Sequence, residues 1–264
     1  MKKSKEKEKT GKYKIVSIIS IAVFLAIWEV CTDILHLAPA SMLPSPISVL
    51  ETFIQKLYDP SPDGATMIEH MAASMEIALI GYVLGALVGI PLAILMGWYE
   101  NIDMFVRPLF DLLRPIPGIA WIPIFIILFG IGTFSRAVVI FISSFISCVV
   151  NTYTGIKQTK QVHLWVGQTF GASNTQLLVR VAIPSALPMI ITGLKVALGA
   201  SWSALVAAEL LASTKGLGFM IQQCRGIFRP DVIIAGMIAI GGIGAFLTYL
   251  LSLLEKAILK GGRW

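Results

Sequence analysis

Long apolar runs and short polar stretches alternate along this chain. A hydrocarbon core about 30 Å thick is crossed by a helix of about 20 apolar residues, and about six runs approach that length. They cover residues 15–37, 72–98, 108–130, 137–153, 189–211 and 232–254. The pattern predicts an all-α polytopic membrane protein with about six transmembrane helices, forming one domain over residues 15–264 behind a basic tail at residues 1–14.

Glycines and prolines interrupt two of the predicted spans. Gly81, Gly85 and Gly89 recur every four residues in the second span, which predicts a helix face that another helix approaches closely. The third span begins with the segment LLRPIPGIAWIP, and its three prolines predict a break or a kink. Proline lacks a backbone donor and clashes with the preceding turn of a helix.

Two acidic residues lie near the predicted outer ends of spans. Glu76 is in the second span and Glu209 is in the fifth. Because a carboxylate that faces lipid is energetically expensive, we expect each to face a polar cavity or a partner. Both are candidates for a translocation path or gate, and Glu209 fits equally well as a carboxylate that reaches water at the interface.

The stretch between the fourth and fifth spans, residues 157–188, is a moderately polar insert of helical character. It is long enough for two short helices around Gly171, and Pro184 and Pro188 mark its end. Connections between neighbouring helices are usually only a few residues long. We therefore expect the insert to bind a partner.

Composition and charge agree with a membrane location. The chain is 56% hydrophobic, 14% charged and has a mean hydropathy of +0.81, whereas a soluble domain carries about a quarter charged residues. The net charge of +6 is concentrated in the N-terminal tail, which favours a cytoplasmic tail over nucleic-acid binding. Basic residues also lie in the insert and near the C-terminus, so we expect both termini and the insert in the cytoplasm.

The N-terminal apolar run also has features of a cleaved signal peptide. A lysine-rich segment precedes it, and the small residues Ala38 and Ala40 follow it. Trp28, Glu29 and the proline inside the supposed cleavage site favour a retained span instead.

The sequence contains no pattern for catalysis, for a metal site or for ATP binding. Its three cysteines are widely separated, and neither HExxH, GxSxG nor the phosphate-binding GxxxxGK[ST] occurs. The spans also lack the series of acidic and histidine residues that is typical of a proton-coupled carrier. We expect a passive membrane path without catalytic residues, metal or cofactor of its own.

The insert resembles the cytoplasmic loop of ABC importer permeases. That loop has the pattern Glu-Ala-Ala, three residues, Gly, nine residues, then Ile-x-Leu-Pro. Gly171 takes the position of the glycine, in the segment FGAS that includes Ala172, and the triplet is replaced. The matching positions are Trp165, Val166 and Gly167 for the triplet and Val181, Ile183 and Pro184 for the end of the motif.

The resemblance extends over nearly the whole chain, from about Pro44 to the end. RPIPGIAWIP, FGIG, IPSALP, VAAELL and GLGFMI follow one another as they do in the nitrate, sulfonate and taurine branch of these permeases. This order implies the type I importer permease fold and a bacterial cell-membrane location. It also implies a homodimer with the pathway along the subunit interface.

The resemblance further implies the partners of the chain. Two cytoplasmic ATPase subunits would bind ATP, and an external solute-binding protein or lipoprotein would deliver a small anionic solute. The insert would be a coupling helix that seats in a groove of the ATPase, where we expect Trp165 to replace the missing carboxylate with an aromatic contact.

Several alternatives stay open from the sequence. The solute is nitrate, an alkanesulfonate or taurine, or else a pyrimidine precursor of thiamine or a similar nutrient. An alternative from a different class is a secondary carrier, which would work alone, driven by an ion gradient and without an ATPase. Gly171 either forms the turn of a coupling loop or simply ends a helix.

Overall fold

The computed structural model describes residues 2–37 and 39–259, with side chains from Ile15 onward. Every regular element in this part of the chain is helical. The helices are α1 (Lys2–Glu29), α2 (Pro46–Lys56), α3 (Met67–Trp98), α4 (Glu100–Leu113), α5 (Ile122–Phe129), α6 (Thr133–Lys157), α7 (Gln161–Thr169), α8 (Asn174–Leu177), α9 (Ile183–Ala212), α10 (Leu217–Gly226) and α11 (Pro230–Leu259). Ala38 of the signal-like site, and Lys260 and Arg263 of the basic C-terminus, lie outside the described residues.

Five helical stretches are long and apolar enough to cross a membrane. They are Ile15–Ile34, Met67–Trp98, Thr133–Lys157, Asn174–Ala212 and Pro230–Leu259. A further pair, Glu100–Leu113 with Gly118–Phe129, meets the same criteria together and makes a sixth span if it is counted as one. The predicted fold class, an all-α polytopic membrane protein with about six spans, is confirmed.

The proline-rich third span is bent by 80° between its two helices. α4 ends at Leu113, and the backbone turns extended at Pro117, where ψ is 142°, before a short 3₁₀ turn leads into α5. A residue that precedes proline is disfavoured in the α conformation, and proline cannot donate the next helical hydrogen bond. Pro115 and Pro117 lie between the two helices and therefore place the bend there, whereas Pro123 lies in the first turn of α5, where proline is tolerated.

The chain forms two compact units. The smaller consists of Met1–Met67 and Met220–Ile238, and the larger of Ile68–Phe219 and Ala239–Trp264. The larger unit contains the insert and the buried core formed by α3, α6 and α9. The candidate functional residues named above all lie in it.

Three glycines on α3 let α6 approach closely. An ideal Cβ atom at Gly81 would lie 2.6 Å from the Cβ of Ile140, and one at Gly85 would lie 2.6 Å from the Cβ of Ser144. At Gly89 the nearest atom would be the carbonyl oxygen of Phe145, at 3.1 Å. Without side chains at these positions, the two backbones pack closer than any larger residue allows, which is how helices associate in lipid.

In the smaller unit, a buried lysine organises the loop after α2. Lys56 is only 2% exposed, and its ammonium group donates hydrogen bonds to the carbonyl oxygens of Ser61 (2.9 Å) and Ala65 (2.8 Å). It also forms an ion pair with Asp63. A buried charge is tolerated only when it is paired and hydrogen-bonded, and here the loop wraps around the ammonium group to provide both.

We predict that Gly85→Ala destabilises the protein by about 1–3 kcal/mol, because the added methyl group enters an interior that is already packed. Gly241→Ala is the matched control, since an added Cβ at Gly241, inside α11, meets nothing within 4 Å. This change should be neutral or stabilising by up to about 1 kcal/mol, since alanine is the better helix former. Thermal unfolding of the detergent-solubilised variants measures both. Equal stability of the two variants would contradict the close contact between α3 and α6.

Candidate functional site

The central part of the insert consists of α7 and α8, which are joined by a turn at Gly171. Gly171 has φ = +76°, in the left-handed region that favours glycine. Its N–H donates to the carbonyl oxygen of Gln168 at 2.9 Å, and the N–H of Ala172 donates to that of Gly167 at 3.0 Å. This pair of bonds is the Schellman motif that ends a helix. Gly171 therefore ends α7 and forms the turn of the insert at the same time.

The second helix of the insert begins with a capping box. The Ser173 hydroxyl accepts a hydrogen bond from the N–H of Gln176 at 3.3 Å, and the Gln176 side chain accepts one from the N–H of Ser173 at 2.9 Å. These reciprocal bonds satisfy two donors at the start of a helix. The sequence analysis did not identify this pair, although serine followed three residues later by glutamine is a readable signal.

Gly167, in place of the family's alanine, leaves room for a buried leucine. An ideal Cβ at Gly167 would lie 2.5 Å from the Cδ2 atom of Leu177. Leu177 is only 3% exposed and begins the connection from α8 towards the membrane bundle. The glycine and the leucine thus fix α7 against α8, and the insert is a small folded body.

Apolar side chains of the insert are exposed. Trp165 and Phe170 are 57% and 86% exposed, and Val162 and Val166 are exposed beside them. We call these four residues the insert patch. α7 contains no buried residue. An exposed apolar patch on a folded segment is typical of a protein-binding surface.

The later motif positions lie at the base of the insert. Val181 belongs to a π-helical turn, Leu178–Ala182, and Ile183 and Pro184 begin α9. All three are partly buried, and Ile183 packs on the core cluster around Ile156 and Ala186. These positions anchor the insert on the bundle, whereas Trp165 and Val166 face outward.

Glu209 lies in a polar cluster at the other end of α9. It is only 1% exposed. The Ser74 hydroxyl donates to its Oε1 atom at 2.7 Å, and the N–H of Gly218 donates to its Oε2 atom at 2.8 Å. The carboxylate is therefore bound on both oxygens and does not reach water, contrary to one of the two alternatives left open by the sequence.

The same cluster holds the loop from Ser213 to Gly218. The N–H of Leu217 donates to the Ser74 hydroxyl at 2.9 Å, and the N–H of Gly216 donates to Nδ1 of His70 at 3.1 Å. Arg136 donates from Nη1 to the Ser213 hydroxyl at 2.8 Å. Side chains from α3, α6 and α9 thus bind this loop.

The cluster caps the start of α10. The first N–H groups of a helix have no partner within it and favour acceptors, negative ones above all. His70, Ser74 and Glu209 supply acceptors to three consecutive residues there. Of these three residues, only Glu209 was predicted from the sequence. The spacing of His70 and Ser74, two polar residues four apart on a predicted helix, is the sequence signal that could have identified them. Glu76 is exposed and takes no part in the hydrogen bonds described here.

Comparison with known proteins gives a consistent picture. Residues 85–261 match the model of the family described as binding-protein-dependent transport system inner membrane component. The taurine transport system permease protein TauC of Escherichia coli is 36% identical over 93% of this chain and 87% of its own length. The nitrate import permease protein NrtB of Synechocystis is 33% identical over 91% and 88%.

A solved structure supports the fold. An inward-facing conformation of the MetNI methionine ABC transporter superposes with a TM-score of 0.61, covering 74% of this chain and 95% of the matched chain. At 16% sequence identity, this likeness concerns the fold alone.

We predict that Glu209→Ala destabilises the protein by about 1.5–3 kcal/mol, because hydrogen bonds to a charged group are lost and buried donors stay unpaired. Hydrogen exchange at the amides of residues 216–218 should be faster in this variant. The destabilisation by Glu209→Gln should lie between zero and that of Glu209→Ala. Glu69→Ala is the control, since Glu69 forms an exposed 3.4 Å ion pair with Lys215 of the same loop. Such pairs contribute about 0–1 kcal/mol. Equal effects of the two alanine variants would contradict the capping role.

Proposed function

This chain belongs to the family of binding-protein-dependent transport system inner membrane components, and we propose that it carries a small solute with a sulfonate or nitrate group. It is the permease of an ABC importer, a multi-pass inner membrane protein that is not itself an enzyme. Such a permease works with an ATPase and a solute-binding protein.

The solute proposal is supported by the names of the relatives. TauC is named for taurine, which carries a sulfonate, and NrtB for nitrate. Both solutes present a compact anionic group whose oxygens accept several hydrogen bonds. We infer that this chain transports a member of the same chemical class.

We propose that the insert patch seats in a groove of the ATPase, with α7 as the coupling helix. Three observations support this: the exposure of Trp165 and Phe170, the fixed turn at Gly171, and the packing of Leu177 on Gly167. A rigid short helix passes on a movement of its partner as a rigid body. The ATPase then biases the permease between two states through its different affinity for each.

The proposal places the insert and both termini in the cytoplasm. Lys157, Lys160 and Arg180 are exposed in and beside the insert, as the positive-inside rule favours. Each copy of the chain carries one insert, so a pair of ATPase subunits requires two permease copies, and we propose a homodimer with the pathway between them.

We infer that Glu209 positions the external loop and does not touch the solute. A carboxylate that is 1% exposed and hydrogen-bonded on both oxygens is shielded from a passing molecule. Its contribution to transport is to keep residues 213–218 in place while other parts of the permease move.

The function is tested by reconstituting the chain in proteoliposomes with its ATPase and binding protein. We predict ATP-driven uptake of taurine, methanesulfonate or nitrate, and no uptake when the ATPase is omitted. Flux driven by an ion gradient through the chain alone would contradict the importer. ATP-driven import of a neutral pyrimidine would contradict the solute class but leave the importer intact.

We predict that Trp165→Ala weakens binding of the ATPase about 30-fold, since truncation of a tryptophan at the centre of an interface typically costs about 2 kcal/mol or more. Tyr58→Ala is the control, because Tyr58 is 81% exposed on the loop that follows α2. Co-purification and titration of ATPase against detergent-solubilised permease measure the affinity. If Trp165→Ala binds as tightly as Tyr58→Ala, the aromatic contact is wrong.

A further inference from the structure

A lysine lies far inside the membrane-spanning helix α9. Lys195 is 12 residues from Ile183, which places it about 18 Å along the helix at 1.5 Å per residue. In the candidate spans that the structure describes, no other Lys or Arg lies as far from both ends of its span. The sequence-based predictions concerned the acidic and histidine residues of the spans and did not include Lys195.

Lys195 is paired with a carboxylate of α11. Its ammonium nitrogen lies 2.5 Å from Oε2 of Glu255, and the two side chains are 28% and 29% exposed. The contact between Trp202 and Ile240, where the indole N–H donates to the carbonyl oxygen at 3.2 Å, joins the same two helices further along. The pair therefore stays accessible, unlike the buried Glu209.

The pairing of α9 with α11 does not itself require charges. An ion pair that solvent reaches contributes only about 0–1 kcal/mol to stability. Ionisable residues within spans are expensive, and those that occur mark solute or ion pathways. The presence of both charges therefore points to a role beyond holding the two helices together.

The face of α9 that carries Lys195 is exposed, and it combines two hydroxyl side chains with a glycine and a valine. Thr192, Gly199 and Ser203 are exposed and follow the spacing of one helix face, with Val196 beside them. An added Cβ at Gly199 meets nothing within 4 Å. We call Thr192, Lys195, Gly199 and Ser203 the α9 stripe. Lipid favours apolar side chains, so a polar stripe of this kind is suited to line a water-filled path.

We propose that the α9 stripe lines the translocation path and that Lys195 binds the anionic group of the solute as it passes. The proposal rests on the proposed function, because it requires a solute with a sulfonate or nitrate group. Glu255 holds the ammonium group while the path is empty, and solute oxygens replace the carboxylate when the solute arrives. Competition with Glu255 keeps this contact weak, as a site on a path must be for the solute to leave again.

The test uses the complete importer in proteoliposomes, with taurine, methanesulfonate and nitrate as probes at saturating binding protein. Lys195→Gln should lower the uptake rate about tenfold or more, as expected for the loss of a hydrogen bond to a charged group. ATP hydrolysis and the thermal stability of the complex should stay near the wild-type values. Lys195→Arg should retain uptake, and Lys256→Gln, on the exposed turn beside Glu255, is the matched control.

A variant of Glu255 distinguishes a role of Lys195 in contacting the solute from a role in holding α9 and α11 together. Glu255→Gln removes the charge that competes with the solute, so uptake should be retained. If the pair only holds the two helices together, Glu255→Gln should lower the uptake rate as much as Lys195→Gln does. Exchange of the charges, Lys195→Glu with Glu255→Lys, should keep the wild-type stability but not the uptake.

The outcomes distinguish this inference from the function on which it rests. Wild-type uptake of a probe together with normal uptake by Lys195→Gln, or by the exchanged pair, would overturn the role of Lys195 alone. Import of none of the probes by the wild type would contradict the proposed solute class, and the role of Lys195 with it.

Discussion

Backbone polar groups that are buried away from water need hydrogen-bond partners within the protein, above all at the start of a helix. The loop between α9 and α10 shows how this chain does so. His70, Ser74 and Glu209 accept hydrogen bonds from three consecutive N–H groups at the start of α10. His70 and Ser74 come from α3, far away in the sequence, and Glu209 comes from α9, which directly precedes the loop, so the loop and the ends of these helices depend on one another.

In the insert, the backbone groups at the helix ends find their hydrogen-bond partners among neighbouring residues. Ser173 and Gln176 satisfy the start of α8, and the bonds of Gly171 and Ala172 satisfy the end of α7. These contacts lie within the insert, and the packing of Leu177 on Gly167 adds to them. A surface that is proposed to transmit movement should be rigid, because a rigid segment moves as a whole and does not deform.

Two charged residues on α9 show how burial separates structural from solute-related roles. Glu209 is hydrogen-bonded on both oxygens and buried, whereas Lys195 is partly exposed on the α9 stripe and paired with Glu255. A charged residue within a span is expensive, and the sequence alone does not show how either charge is accommodated. Their surroundings differ, and so do the roles that we assign to them.

Much of the fold was readable from the sequence because it depends on local chemistry. Apolar length set the spans, the prolines between Leu113 and Ile122 set the bend of the third span, and the glycine spacing in α3 marked the face that α6 covers. The position of Gly171 in the insert was likewise predictable, since a left-handed turn requires glycine. What the sequence by itself determined is thus the all-helical membrane fold, the family and the place of the insert. Only the tertiary structure decided which residues meet: Glu209 with Ser74, Lys195 with Glu255, and Gly167 with Leu177. The first two pairings join distant helices, and the third depends on how the insert folds back at Gly171, so no local pattern in the chain encodes them.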